Sequence, residues 1–214
     1  MSLTGAHHLF GSVSETGIDK FLDVFFTARP HLLAYGTSLF ATNPNLVTKI
    51  DTSSLPGFLL GLQALIRFET PKVDITPPDS STELLPPGND QFTVYTTVVI
   101  DFLCGTPKES RTGDRGAHLI EFKSQVAVLC APRVVNSAPG TGAIGITLVN
   151  VSVEGIQPVA LEQIVECIVT ALLTWAFGQV TIPFNVFTLD GISLTLQQGP
   201  VAEDDQIEVF GDIT

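Results

Sequence analysis

The spacing of apolar residues predicts a long helix over residues 157–177. Apolar side chains recur there every three to four positions, the repeat that places them on one face of a helix. Pro158 stands at an early helical position, where a missing N–H is tolerated, and Gly178 is expected to end the helix. The apolar face consists of Leu161, Ile164, Val165, Ile168, Val169, Leu172, Trp175 and Ala176.

A second, shorter helix is predicted near the start of the chain, after a loose stretch over residues 1–10. Ser12 and Glu15 have the spacing of a capping box, in which each side chain bonds a backbone N–H of the other residue. The helix is expected to end before Pro30, because a residue that precedes proline is disfavoured in helical conformation. Its apolar face consists of Ile18, Phe21, Leu22, Phe25 and Phe26.

Alternating apolar and polar residues predict strands over much of the remaining chain. The clearest strand covers residues 92–103, and residues 118–130 are its expected antiparallel partner. Further strands are predicted at 31–35, 38–42, 46–50, 58–68, 144–153, 187–196 and 206–210, with a bend at Gly199-Pro200. Two helices and many strands in this order indicate an α+β fold.

The 214 residues are expected to form a single domain that buries a substantial core. Residues 76–89, rich in proline, form the longest predicted loop and are the candidate internal boundary. Apolar residues make up 44% of the chain, charged residues only 15%, and the mean hydropathy is +0.36. This surplus suits an internal apolar cavity or a large subunit interface, and a core-rich sandwich would also account for it.

The last sixty residues contain several short motifs in a fixed order. They are Ile182-Pro183, Leu189-Asp190-Gly191, the bend at Gly199, and the run Asp205-Gln206-Ile207-Glu208-Val209 before Gly211-Asp212. Together they resemble the closing segment of the tubular lipid-binding (TULIP) superfamily, in its bacterial type, and the first helix resembles that family more weakly. The resemblance implies a strongly curved antiparallel sheet wrapped around the long C-terminal helix, with the N-terminal helix beside it.

Two functions follow from the resemblance. The first is non-enzymatic binding of a lipid or another apolar ligand in an internal tunnel. The second is a structural or assembly module with a filled core, such as a component of a bacterial toxin complex, that binds a protein partner or a second copy. In the first case the ligand would contact the helix faces at Phe21, Phe25, Leu161, Ile164, Val165, Ile168, Leu172 and Trp175. In the second case these side chains are ordinary core.

Charge argues against several partners. The net charge is −12 with only ten basic residues, so neither nucleic acid nor an anionic membrane surface is an expected partner. The longest apolar segment, residues 159–177, contains Glu162, Gln163 and Glu166, and its charge-free part is too short to cross a bilayer. The start of the chain lacks a secretory signal pattern, which favours a cytoplasmic protein or one released without a classical signal.

Motifs that could carry catalysis are weak, so no enzyme activity, cofactor or metal is expected. Residues 140–145 match the G-x-G-x-x-G pattern of dinucleotide sites, but the following residues predict a strand instead of the helix that binds the phosphates. The pair His7-His8 is too close to converge on a metal. Cys104, Cys130 and Cys167 are widely spaced and are expected to be reduced and buried, with Cys167 on the apolar face of the long helix.

Overall fold

Strands account for most of the secondary structure. The computed structural model describes residues 9–50, 62–75, 85, 87, 90–104, 117–136, 143–156, 159–183, 194–203 and 205–213. Within them lie a single turn of 3-10 helix (Pro30–Leu32) and the following helices and strands: β1 (Leu9–Ser14), α1 (Glu15–Ala28), β2 (Ala34–Gly36), β3 (Thr48–Lys49), β4 (Leu62–Phe68), β5 (Lys72–Asp74), β6 (Phe92–Cys104), β7 (Ala117–Asn136), β8 (Ala143–Val153), α2 (Val159–Gly178), β9 (Thr181–Pro183), β10 (Leu194–Glu203) and β11 (Gln206–Ile213).

The larger sheet has the strand order β3-β2-β4-β6-β7-β8-β9, and β5 also pairs with β6. It curls strongly into a half-barrel, and the α+β class is confirmed. The pairing of β6 with β7 is antiparallel and extends from Phe92 opposite Cys130 to Cys104 opposite Ala117. This confirms the predicted partnership of residues 92–103 with residues 118–130. The predicted strand 144–153 corresponds to β8, which pairs with β7.

A second sheet of three strands, in the order β1-β11-β10, brings the two ends of the chain together. Its first strand pairs with β11 from Leu9 opposite Gly211 to Ser14 opposite Gln206, so the predicted loose start is wrong for Leu9 and Phe10, and residues 1–8 lie outside the described part of the chain. The rings of Phe10 and Phe210 lie 5.4 Å apart, centroid to centroid, across this pair. Because β1 and β11 lie near opposite ends of the sequence, no local sequence pattern predicts that they pair.

Helix α1 begins two residues later than the predicted capping box. Ser14, and not Ser12, is the N-cap, and its Oγ accepts a hydrogen bond from the Gly17 N–H at 3.3 Å. Ser12 instead lies in β1 opposite Glu208. The helix ends at Ala28, before Pro30, as predicted.

Helix α2 buries only part of its predicted apolar face, of which Val165, Val169 and Ala176 are buried. Its fully buried side chains are Val165, Val169, Leu173, Ala176 and Phe177. The predicted row of Ile164, Ile168 and Leu172 is only half-buried. The fully buried row of Val165, Val169 and Leu173 is displaced from this half-buried row by about 100°, one residue step on a helix of 3.6 residues per turn.

The predicted burial of Cys167 on this helix is also wrong. Cys167 is exposed, whereas Cys130 is buried as expected, and the side chain of Cys104 is outside the described part of the chain. Cys167 is exposed because it follows Val165 by two positions and therefore lies on nearly the opposite side of α2.

The hydrophobic core is one continuous cluster that joins both helices to the larger sheet. Helix α1 contributes Ile18, Leu22 and Phe26. The alternation predicted for residues 92–102 is confirmed, since the buried side chains of β6 include Phe92, Val94, Val98 and Ile100. From β7 and β8 come Val126, Val128, Cys130, Ile146, Val151 and Val153.

Several short strand predictions need correction. Residues 38–42 form a turn instead of a strand, in which the N–H groups of Phe40 and Ala41 both bond the carbonyl of Thr37. Residues 31–35 are divided between the 3-10 helix and β2, and 46–50 shorten to β3. The bend at Gly199-Pro200 is a bulge within β10, where the register shifts between Gln198 and Val201.

Some predictions fall on residues outside the described part of the chain. These are the segments 58–61 and 187–193, the glycines at 140 and 142, Pro158, His7-His8, and all of the loop 76–89 except residues 85 and 87. The described end of the G-x-G-x-x-G motif agrees with the prediction, because Gly145 lies in β8 and is followed by strand residues.

Candidate ligand-binding groove

A groove of about 530 Å³ is lined by residues from both helices and from the segments that follow them. Its volume is within the range of about 300–1,000 Å³ that is usual for small-molecule sites. The walls come from α1, the residues that follow it, α2 and β9, and the lining residues are Phe21, Phe25, Arg29, His31, Leu32, Trp175, Gln179 and Thr181.

Two phenylalanines form the α1 wall. Phe21 and Phe25 are one helical turn apart, so both project from the same side of the helix. Their ring centroids are 5.7 Å apart, and the Phe25 ring also meets Phe26 edge to face at 5.2 Å. Phe26 is buried in the core, while Phe21 and Phe25 are half-buried. The α1 wall is therefore apolar, anchored to the core from behind and open to the groove.

The α2 wall is built around the only tryptophan of the chain. Trp175 is 44% exposed, although it meets the buried Tyr35 ring edge to face at 6.1 Å. The Tyr35 hydroxyl donates a hydrogen bond of 2.6 Å to the carbonyl of Leu32, another lining residue. Burial raises the pKa of the Tyr35 hydroxyl well above its ordinary value, so this group stays neutral and remains a donor.

Arg29 supplies a positive charge at the same wall. Its guanidinium carbon lies 4.4 Å from the centroid of the Phe25 ring, a cation–π contact. None of the eight lining residues is acidic. Among the residues that the structure describes, no carboxylate forms an ion pair with Arg29. The groove thus combines apolar surface with a cation whose N–H groups can bind an oxyanion.

The structure brings together three of the eight residues predicted to contact a ligand: Phe21, Phe25 and Trp175. The other predicted positions do not line this groove. Ile168 and Leu172 are half-buried and pack against the core, and Val165 is fully buried within it. Ile164 is half-buried, and the side chain of Leu161 is outside the described part of the chain.

Five lining residues were not predicted from the sequence: Arg29, His31, Leu32, Gln179 and Thr181. Arg29 had a usable signal, because it follows Phe25 by four positions and such pairs share one side of a helix. His31 and Leu32 belong to the 3-10 turn that follows α1, whereas Gln179 follows α2 and Thr181 lies on β9. Nothing in their local sequence indicates that arrangement.

Two smaller depressions, of about 280 and 360 Å³, lie elsewhere in the described part of the chain, and most of the residues that line them are polar or charged. Within the described ranges no three His, Cys, Asp or Glu side chains come together as metal ligands. Helices long and apolar enough to cross a bilayer are absent from the same part of the chain. Burial raises the pKa of the Cys130 thiol far above its ordinary value, so this cysteine is a poor nucleophile.

Comparison with known proteins finds no matching family model and no curated protein of significant similarity.

Proposed function

We propose that the protein binds a lipid or another apolar ligand without chemical conversion, and that the groove between α1 and α2 is the binding site. One observation carries the proposal: Trp175 is 44% exposed and lines the same groove as the half-buried rings of Phe21 and Phe25. Large aromatic side chains are normally buried more fully in a fold with a well-filled core. A ligand chain lying between these walls would remove the exposed apolar surface from water.

The energetics set a limit on what apolar contact alone achieves. A chain of about ten methylenes gains about 8 kcal/mol when it is fully buried, at about 0.8 kcal/mol per methylene. Association costs at least about 4 kcal/mol in lost freedom of motion. The remaining 4 kcal/mol corresponds to a dissociation constant of about 1 mM. Apolar contact alone therefore supports weak binding, and a polar contact is needed for tighter binding.

The TULIP-like assignment belongs to this proposal. It includes the curled sheet wrapped around α2 and an internal tunnel that continues from the ligand site. The motif resemblance at Ile182-Pro183 and over residues 205–212 supports it, as do the curl of the larger sheet and the position of α2 against β8. The assembly module is the alternative. It has less support, because the most exposed valines, Val24 and Val159, lie on different helices.

A fluorescent probe tests the proposal. Phenylnaphthylamine is uncharged and becomes bright when it enters an apolar site. We expect saturable binding to the parent protein and weaker binding to Phe21→Ala, which removes one of the two rings that form the α1 wall. Val24→Ala is the matched control, because Val24 lies on the same helix but is 70% exposed and outside the groove. Binding that is absent from the parent, or equal in all three proteins, would contradict the site.

A further inference from the structure

The groove differs in charge from the rest of the protein. The chain carries 22 acidic residues and a net charge of −12, yet none of the eight lining residues is acidic. Two of the lining residues, Arg29 and His31, have basic side chains. The negative net charge of the protein repels anions overall. A basic site without lining carboxylates attracts them locally. The groove is therefore complementary to a ligand with negative charge at one end.

The position of Arg29 is fixed by several contacts. Its backbone N–H donates to the carbonyl of Phe26 at 3.1 Å, which holds the residue at the end of α1. Its guanidinium lies over the Phe25 ring, a contact that leaves guanidinium N–H groups able to bind an acceptor. The neighbouring backbone is held as well, because the Thr48 hydroxyl donates to the carbonyl of His31 at 2.6 Å. The cation is thus prepared for an oxyanion before any ligand arrives.

We infer that the ligand is a single-chain amphiphile with an anionic headgroup, and that Arg29 binds the headgroup while the chain lies along Phe21, Phe25 and Trp175. This inference rests on the proposed function, because it assigns the polar contact that apolar burial lacks. A carboxylate, sulfate or phosphate monoester shares the required chemistry, since each presents two oxygens to the paired N–H groups of arginine. His31, Gln179 and Thr181 line the same groove and supply further polar groups.

Four ligands that share a decyl chain test the inference. Decanoate and decyl phosphate are anionic, decanol is neutral, and decyltrimethylammonium is cationic. The charged ligands are titrated below their micelle concentrations and decanol below its solubility limit, while the emission of Trp175, the single tryptophan, is recorded. We expect the anionic ligands to bind at least about tenfold more tightly than decanol, because a charge-assisted pair replaces a neutral contact. Decyltrimethylammonium is expected to bind most weakly. Acetate and inorganic phosphate at the same concentrations are expected not to displace decanoate, which separates a headgroup on a chain from a free anion.

Two charge variants complete the experiment. Arg29→Gln is expected to lower the affinity for decanoate to that for decanol and to leave decanol binding unchanged. Lys20→Gln removes the same charge from an exposed position on α1 outside the groove, so it is expected to change neither affinity. Equal affinities for the anionic, neutral and cationic ligands, with no effect of Arg29→Gln, would overturn the anionic headgroup and leave apolar binding intact. Failure of every decyl ligand and of phenylnaphthylamine to bind would overturn both proposals.

Discussion

The ring of Tyr35 meets the ring of Trp175 edge to face, with centroids 6.1 Å apart and planes at 81°. Tyr35 lies on β2 and is fully buried, whereas Trp175 lies near the end of α2 and faces the groove. A hydrogen bond of 2.6 Å from the Tyr35 hydroxyl to the Leu32 carbonyl fixes a second part of the lining. One buried side chain therefore supports two walls of the groove.

The hydroxyl of Tyr35 is expected to contribute measurably to stability. Tyr35→Phe keeps the ring contacts with Trp175 and Phe68 but leaves the Leu32 carbonyl without this donor. A lost hydrogen bond of this kind costs about 1 kcal/mol of unfolding free energy. Urea denaturation followed by circular dichroism measures the change. A variant as stable as the parent would show that water replaces the hydroxyl at no cost.

Glu15 is expected to make stability depend on pH. Burial is the main cause that raises the pKa of its carboxyl above the ordinary 4.5, and the neighbouring charges of Asp74, Asp205 and Asp19 raise it further. The hydrogen bond from the Ile75 N–H lowers this pKa but does not cancel the rise. The folded protein therefore holds this proton more tightly than the unfolded chain. The contribution of Glu15 to the unfolding free energy is fully present below pH 4.5. It is lost as the pH rises through the pKa that Glu15 has in the folded protein.

The comparison of the parent with Glu15→Gln isolates that effect. As pH falls from neutral to below 4.5, the parent is expected to gain unfolding free energy relative to the variant. The variant keeps an oxygen that accepts the Ile75 N–H, a bond of 3.2 Å in the parent. Denaturation midpoints at the two ends of this pH range provide the measurement. A difference between the two proteins that is independent of pH would contradict the raised pKa.

The cysteines are expected to differ in reactivity. Cys167 is exposed on α2 and should be alkylated by iodoacetamide in the native protein, whereas Cys130 is buried and should react only after unfolding. Burial raises the pKa of the Cys130 thiol, which further lowers the amount of reactive thiolate. Peptide mapping by mass spectrometry identifies the modified residue. Equal labelling of both cysteines under native conditions would place Cys130 at the surface.

Two glycines that have open space around them are expected to respond differently to alanine substitution. Gly155 has a φ of +78°, which an L side chain rarely adopts, while Gly178 lies at the end of α2 outside that region. Gly155→Ala should cost about 1–2 kcal/mol of unfolding free energy through strain. Gly178→Ala should be neutral or gain up to about 1 kcal/mol, because alanine loses less backbone entropy. Thermal denaturation of both variants provides the comparison.

The long strands could be predicted from the sequence because their pattern repeats over many residues. On β6, Phe92, Val94, Val98 and Ile100 alternate with less buried positions over most of the strand, and this strand is confirmed. Short runs gave less reliable predictions. Residues 38–42 form a turn held by the Thr37 carbonyl, and Ser14 instead of Ser12 caps α1, because β1 pairs with β11 and delays the helix.

The groove could be predicted only in part, since it depends on how α1 and α2 face each other. Phe21 and Phe25 belong to an apolar helix face that the sequence pattern predicts, and both line the groove. On α2 apolar residues occur on more than one side, so the pattern did not identify which side is buried. Val169 and Leu173 are buried, whereas Trp175 stays partly exposed because it faces the groove. Thr181 reaches the site through β9, by pairing with Gly145.

The most direct measurement of ligand binding in the groove is quenching of Trp175 by a fatty acid brominated at mid-chain. Trp175 is the only tryptophan, so every change in tryptophan emission reports on this site. If the chain lies between Trp175 and Phe21, quenching should saturate at one ligand per protein and weaken in Phe21→Ala but not in Val24→Ala. Quenching that rises linearly without saturation, or that is identical in the two variants, would contradict binding in the groove.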